Sequence, residues 1–329
     1  MLHILLSIRE LANNCTYKPA VRGWLTPVHW YYKIMIITLT EGRYVVAVSG
    51  GVDSVVLLDL LSQRPELHLT VAHFDHGIRP DSAADRTFVQ ALAKKYDLPF
   101  VYGTAQLGAG ASEDEARKAR YQFLDQVRRA SQTSSIVTAH HQDDLLETAV
   151  LNLMRGTGRK GLTSLQDRPD IRRPLLAYSK QTIVAYATVQ GLAWHEDVTN
   201  NDQAYRRNYV RHSILPRLTS EGRQRLIDIL TRQRAVNEEL DGLLINYLHV
   251  QPVSRMLDRK AFTQLPHDIA KEVLASWLRA NGQANFDRKT LERVTVSAKV
   301  GRVGSFAALK DGNCLVIGVN NLALKRSER

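Results

Sequence analysis

Ser49-Gly50-Gly51-Val52-Asp53-Ser54 sets two glycines, two hydroxyls and a carboxylate between an apolar run and a helical one. Glycines there let backbone N–H groups face an anion without obstruction, and a helix starting at that point adds its partial positive charge. The turn therefore suits a phosphate. A Walker-type loop would supply a Lys before its last Ser, whereas Asp53 stands here, and an unshielded carboxylate repels phosphate oxygens. A divalent cation removes the conflict. Mg2+ prefers carboxylate and phosphate oxygens, so Asp53 is expected to hold it, with the Ser49 and Ser54 hydroxyls donating to the anion. The alternative is an ordinary glycine turn in which Asp53 and Ser54 only cap the helix.

Three more blocks carry reactive residue types. His73-Phe74-Asp75-His76-Gly77-Ile78-Arg79 ends a second apolar run. Ser112 and Glu115 open a capping box, after which Arg117, Arg120 and Tyr121 share one helix face. His140-His141-Gln142-Asp143-Asp144 begins another helix, on which Asp144 and Glu147 are three apart and Leu145, Leu146, Val150 and Leu153 form the expected buried stripe. Each block has a plainer reading. Acids at a helix start complement its dipole, and Arg117 with Glu113 or Glu115 can be a solvated surface pair. The four histidines lack neighbouring Cys and any HExxH spacing, which argues against zinc and for hydrogen bonding around a nucleotide.

The elements that must position these residues are legible. Tyr44-Val45-Val46-Ala47-Val48 has no polar relief, as in a strand buried on both faces of a parallel sheet, and Leu69–Ala72 and Ser135–Thr138 read likewise. Val55, Val56, Leu58, Leu60 and Leu61 give the helix that follows the glycine turn.

The turn resembles the signature of the PP-loop family, the N-type ATP pyrophosphatases, which adenylate a substrate and release diphosphate. Together with Arg155-Gly156-Thr157-Gly158-Arg159-Lys160-Gly161-Leu162, Arg173-Pro174-Leu175-Leu176, Glu196-Asp197 and Tyr205 to His212, the blocks are similar to the tRNA-Ile lysidine synthetases within it. The resemblance runs from Tyr44 to Pro216. It implies ATP bound by Ser49, Gly50, Gly51, Val52, Asp53 and Ser54, with L-lysine and a tRNA(Ile) bearing a CAU anticodon as partners. The implied reaction has the cytidine C2 oxygen attack the α-phosphate of ATP, after which the lysine ε-amine displaces AMP. Arg117 and Arg120, with Arg207 or Arg211, are then expected to clamp phosphate or tRNA backbone. Asp144 and Glu147 would receive the lysine amine, and a carboxylate or His140 would take the ε-amine proton. Cationic Arg155, Arg159 and Lys160 would contact tRNA, against the alternative of a solvated surface loop.

The expected fold is α/β, a doubly wound, mainly parallel sheet of the PP-loop type with nucleotide at the strand C-terminal edge, then a smaller helical domain ending in a β-hairpin. Residues 35–216 would form the catalytic domain, 217–322 the tRNA-binding domain and 323–329 a mobile basic tail. Helices are expected over Arg223–Leu248, Ile269–Ala280 and Arg288–Ser297, and the hairpin over Ser305–Leu309 and Cys314–Val319 around Asp311-Gly312. In some members of the resembled family a further C-terminal domain follows; here the chain stops soon after the hairpin, so acceptor-arm contacts are expected to be made differently. Residues 1–34, with Trp24, Trp30, Tyr31 and Tyr32, have little periodicity and are expected to be an extension preceding a true start at Met35.

Composition narrows the class. Net charge +11 points to a polyanionic partner, and residues 216–329 hold 19 Lys and Arg against 12 Asp and Glu, net +7, leaving 25 against 21, net +4, for the first 215. Only Cys15 and Cys314 occur, which favours a reducing cytoplasm and disfavours the Cys pairs of tRNA-thiolating relatives. An amidating relative would need a glutaminase-sized partner domain. A non-catalytic ATP-binding RNA module leaves Asp53, Asp144 and Glu147 unexplained. No apolar run approaches the roughly 20 residues of a membrane span.

Overall fold

A computed structural model describes residues 35–77, 82–105, 113–195, 206–248, 255–283, 286, 288–308 and 313–326. The extension 1–34, Ile78 and Arg79, Ser112, Glu196-Asp197, Tyr205, Leu309, the turn Asp311-Gly312 and the last three residues lie outside these. The chain divides into two compact units, residues 1–139 with 177–196 and residues 140–176 with 197–329.

The first unit is built on parallel strands β1 (Gly42–Ala47), β2 (Leu67–Asp75), β3 (Phe100–Thr104) and β4 (Ser135–Val137), in the order β3-β2-β1-β4. Helices α1 (Val52–Ser62), α2 (Ser82–Lys95) and α3 (Glu113–Ala130) make the crossovers, and α6 (Lys180–Val189) packs against α1. The order runs outward from β1 to β3 and then returns to β1's other side. Right-handed crossovers therefore put α1 and α2 on one face and α3 on the other, the doubly wound arrangement expected. The reversal lies between β1 and β4, so the glycine turn after β1 sits at the point where such sheets open a crevice. Val45, Val46, Val56, Leu57, Leu58, Leu61 and Val71 are fully buried, as the unrelieved apolar runs require. Gly103 in β3 is needed for close approach: a Cβ there would lie 2.5 Å from the Phe123 ring of α3.

The second unit begins with α4 (Gln142–Met154), the short α5 (Arg159–Leu162) and the two-residue β5 (Ile171–Arg172). It resumes with α7 (Arg206–Tyr209), a π-helical turn (Val210–Ile214) and the long α8 (Ser220–Leu248). Leu146, Ala149, Leu151, Val210, Leu215 and Leu230 form one core. A second core, with Phe262, Trp277, Leu278, Val294, Leu315, Ile317 and Leu322, joins α9 (Arg259–Gln264), α10 (His267–Ala280) and α11 (Arg288–Lys299) to an antiparallel sheet. That sheet runs β6-β9-β8-β7, with β6 Met256–Asp258, β7 Gly304–Ala308, β8 Asn313–Ile317 and β9 Asn321–Arg326.

Four expectations are corrected. The boundary near Pro216 falls inside the second unit, because α5 packs on α8 and Leu146 shares a core with Leu230. The hairpin is real but is half of a four-stranded sheet. Lys325 and Arg326 are not tail residues: they pair with Cys314 and Asn313 in β9. Leu153 is 66% exposed, and Leu146, Ala149 and Leu151 carry the buried side of α4 instead.

Candidate functional site

The glycine turn is braced from within. Gly50 has φ +100°, which L side chains rarely adopt, and so turns the chain sharply out of β1. Ser54 Oγ accepts from the N–H groups of Ser49 and Gly50, both at 3.2 Å, and donates to the Gly51 carbonyl at 2.9 Å. Ser54 thus shapes the loop rather than standing as an idle donor. Gly51 is the N-cap of α1 and has no side chain with which to cap it, so the first turn keeps its positive end for an outside anion. The buried His73 ring bonds the Val48 carbonyl at 2.9 Å through Nδ1 and fixes the exit of β1 against β2.

Two side chains missed in the sequence reach this loop. Lys180, first residue of α6, donates to both carboxylate oxygens of Asp53 at 2.7 Å. His195 donates its backbone N–H to the Gly50 carbonyl at 3.0 Å, stacks on Phe88 with ring centroids 4.4 Å apart, and bonds Asp85 at 2.7 Å. Neither lies in a pattern that sequence could flag; Lys180 is separated from Asp53 by 127 residues. Further along the same two helices, Asp59 accepts from Tyr186 at 2.8 Å, Gln63 at 2.9 Å and, from α2, Tyr96 at 2.6 Å. Burial pushes both tyrosine hydroxyls above their usual pKa, and their bonds to the Asp59 carboxylate add to the shift.

On α3, the guanidinium carbons of Arg117 and Arg120 lie 5.0 and 5.4 Å from the Tyr121 ring centroid, so the three share a face as their spacing predicts.

In the second unit, α4 gathers the other expected residues. Glu147 is fully buried. Arg211 grips it with Nε at 2.6 Å and Nη2 at 3.0 Å, and Arg207 Nε approaches to 3.4 Å. The π-helical turn carries Arg211, so a local widening of the helix brings it to Glu147 beside Arg207. Asp144 accepts the His141 backbone N–H at 3.0 Å, completing a capping box, and lies 3.6 Å from Arg211. Burial raises the Asp144 pKa, but the His141 and His140 charges, the His141 N–H and Arg207 outweigh it and hold the carboxyl below its ordinary value. Asp143 pairs with Arg223 of α8, a partner no local pattern indicated.

Arg155, Arg159 and Lys160 part company. Arg155 is exposed. Arg159 is drawn inward, 3.0 Å from both Asp241 and Glu272, and Lys160 lies 2.6 Å from Asp241. Burial raises the Asp241 pKa, yet bonds from Lys160 and Arg159 bring it below the ordinary value. These two cations fasten α5 to α8 and α10.

No helix among the described residues is long and apolar enough to cross a membrane. The PP-loop domain family matches residues 27–218. A tRNA(Ile)-lysidine synthase of Geobacter sulfurreducens is 43% identical over 188 residues, 54% of this chain and 40% of that protein. One from Actinobacillus pleuropneumoniae is 32% identical over 256 residues, 74% of this chain and 60% of that protein. The chain thus spans less than two thirds of the curated relatives it matches. Among solved structures, the U34-tRNA thiolase NcsA of Methanococcus maripaludis aligns with TM-score 0.48 and 15% identity, over 62% of this chain and 75% of that one. With its family matched over more than half its length and its glycine turn at the β1–α1 switch point, the chain belongs to the PP-loop family of ATP-binding domains.

Proposed function

We propose that this chain joins L-lysine to C2 of the wobble cytidine in the CAU anticodon of tRNA(Ile), using ATP. The observation that carries the reading is the likeness to tRNA(Ile)-lysidine synthases, which in the longest alignment covers 74% of the chain. The chemistry of the two units agrees with it.

In this reading the triphosphate rests on residues 49–54, against the uncapped N-terminus of α1. Asp53 offers an oxygen donor suited to Mg2+, which when bound would neutralise charge on the departing diphosphate. Arg117 and Arg120, preorganised on Tyr121, supply donors for phosphate. Attack by the cytidine C2 oxygen on the α-phosphate expels diphosphate, and the lysine ε-amine then displaces AMP. Asp144, whose carboxyl stays ionised, together with Glu147, receives the lysine ammonium, while Arg207 and Arg211 keep the acidic pair from carrying uncompensated charge. His140 is placed by sequence next to the His141 cap and is assigned the ε-amine proton. Exposed Arg155 retains the role of tRNA contact; Arg159 and Lys160 act on tRNA through the fold they fasten. The reaction would take place in the cytoplasm.

Pure protein incubated with labelled lysine, ATP and bulk tRNA tests this. Label should enter the tRNA fraction only with ATP present and only in species carrying CAU. Diphosphate release without lysine incorporation would move the protein to another PP-loop activity.

A further inference from the structure

The mechanism above leaves Lys180 unused, although it occupies the very carboxylate assigned to the metal. Its ammonium donates to both Asp53 oxygens at 2.7 Å, which is the face a cation would have to take. The pair is not sealed: the Lys180 side chain is 43% exposed and that of Asp53 26%. The four-carbon stem can therefore swing while its anchor stays put.

The anchor is held firmly. Ser179 caps α6 by accepting the Thr182 N–H at 3.1 Å, so Lys180 is the helix's first residue. Six residues further along both helices, Tyr186 of α6 bonds Asp59 of α1 in the buried cluster that also holds Tyr96 and Gln63. Equal six-residue steps from Asp53 to Asp59 and from Lys180 to Tyr186 set the two helices side by side in register, with their N-termini together. Two helix N-termini and one ammonium then converge on one carboxylate, a surplus of positive potential that a polyanion would neutralise.

We propose that Lys180 is an exchangeable counter-ion. Without nucleotide it neutralises Asp53; when the magnesium-bearing triphosphate arrives, the metal takes the Asp53 oxygens and the ammonium moves to non-bridging phosphate oxygens. Lys180 thus supplies, from a separate helix, the cation that a Walker loop carries within itself. This rests on the ATP reading of the glycine turn and deepens it.

Exchange demands effects of opposite sign on two ligands. Removing the ammonium frees Asp53 for a bare cation, so Lys180→Met should bind Mn2+ alone roughly two- to fivefold more tightly, the scale of an exposed ion pair. The same variant should bind Mg2+·ATP about tenfold or more weakly, the scale of one lost charge-assisted bond. Lys180→Arg should stay near the parent on both. Mn2+ binding is read by electron paramagnetic resonance and Mg2+·ATP by calorimetry, neither requiring turnover. Weakening of both ligands in Lys180→Met would mark a merely structural pair and overturn the exchange, as would unchanged Mg2+·ATP affinity. A parent that fails to bind Mg2+·ATP would instead remove the nucleotide reading itself, and the exchange with it.

Discussion

Replacing Arg211 by Met isolates the electrostatic demand of Glu147. The Glu147 side chain is 1% exposed and takes two bonds from Arg211, at 2.6 and 3.0 Å, with Arg207 at 3.4 Å as its other printed cation. Breaking a fully buried ion pair from one side costs about 3–5 kcal/mol, because the remaining charge is left without compensation. Here the Arg211 side chain is 32% exposed and Arg207 remains, so water and the second arginine relieve part of that penalty. The expected loss for Arg211→Met is about 2–3 kcal/mol. Glu147→Gln should cost less, about 1 kcal/mol, since the arginines it abandons can turn to solvent. The double variant should then lose less than the two singles together, with a coupling of about 1 kcal/mol or more. Urea unfolding followed by circular dichroism measures all four proteins, with the slope checked for constancy. An Arg211→Met protein within about 0.5 kcal/mol of the parent, or strictly additive losses, would refute the argument that Glu147 depends on its arginines.

Three other outcomes follow from the same geometry. Asp144 is ionised more readily in the fold than in the unfolded chain, so its contribution is complete above about pH 4 and fades as pH falls through its lower native value; Asp144→Asn should flatten the rise of urea midpoint with pH between about 3 and 5. Gly103→Ala drives a methyl to 2.5 Å from the Phe123 ring and should cost about 1–3 kcal/mol, partly recovered when Phe123 is shortened to Leu. Arg155→Ala should lower the slope of log tRNA affinity against log salt by roughly 0.7–0.9, the loss of one phosphate contact, whereas Arg159→Ala should instead lower the melting temperature; equal slopes for Arg155→Ala and the parent would take Arg155 out of the interface.

What sequence disclosed was local chemistry. β1, the glycine turn and α1 were legible because a strand buried on both faces has no polar relief and because glycine's freedom leaves a visible mark. The shared face of Arg117, Arg120 and Tyr121 followed from helical spacing alone. Long-range pairing was not legible. Arg159 meets Asp241 and Glu272 across 82 and 113 residues, and nothing near a cation in sequence tells whether it faces solvent or a distant acid. The same holds for Lys180 on Asp53 and Arg223 on Asp143. The extra strands β6 and β9 escaped notice because β6 is three residues long and β9 ends in Lys325 and Arg326, which read as solvated charge until they are seen paired along a sheet edge.

The π-helical turn at Val210–Ile214 has a cost and a use that belong together. Deleting one residue from it would let the segment relax into regular helix, and backbone regularity alone would favour the shortened chain. Each residue removed from a helix rotates everything beyond it by about 100°, so Arg211 would swing away while Arg207 kept its aim. The bulge therefore works as a wedge of phase: an imperfection in the coil is what allows two guanidinium groups, four positions apart, to be levelled at a single acid.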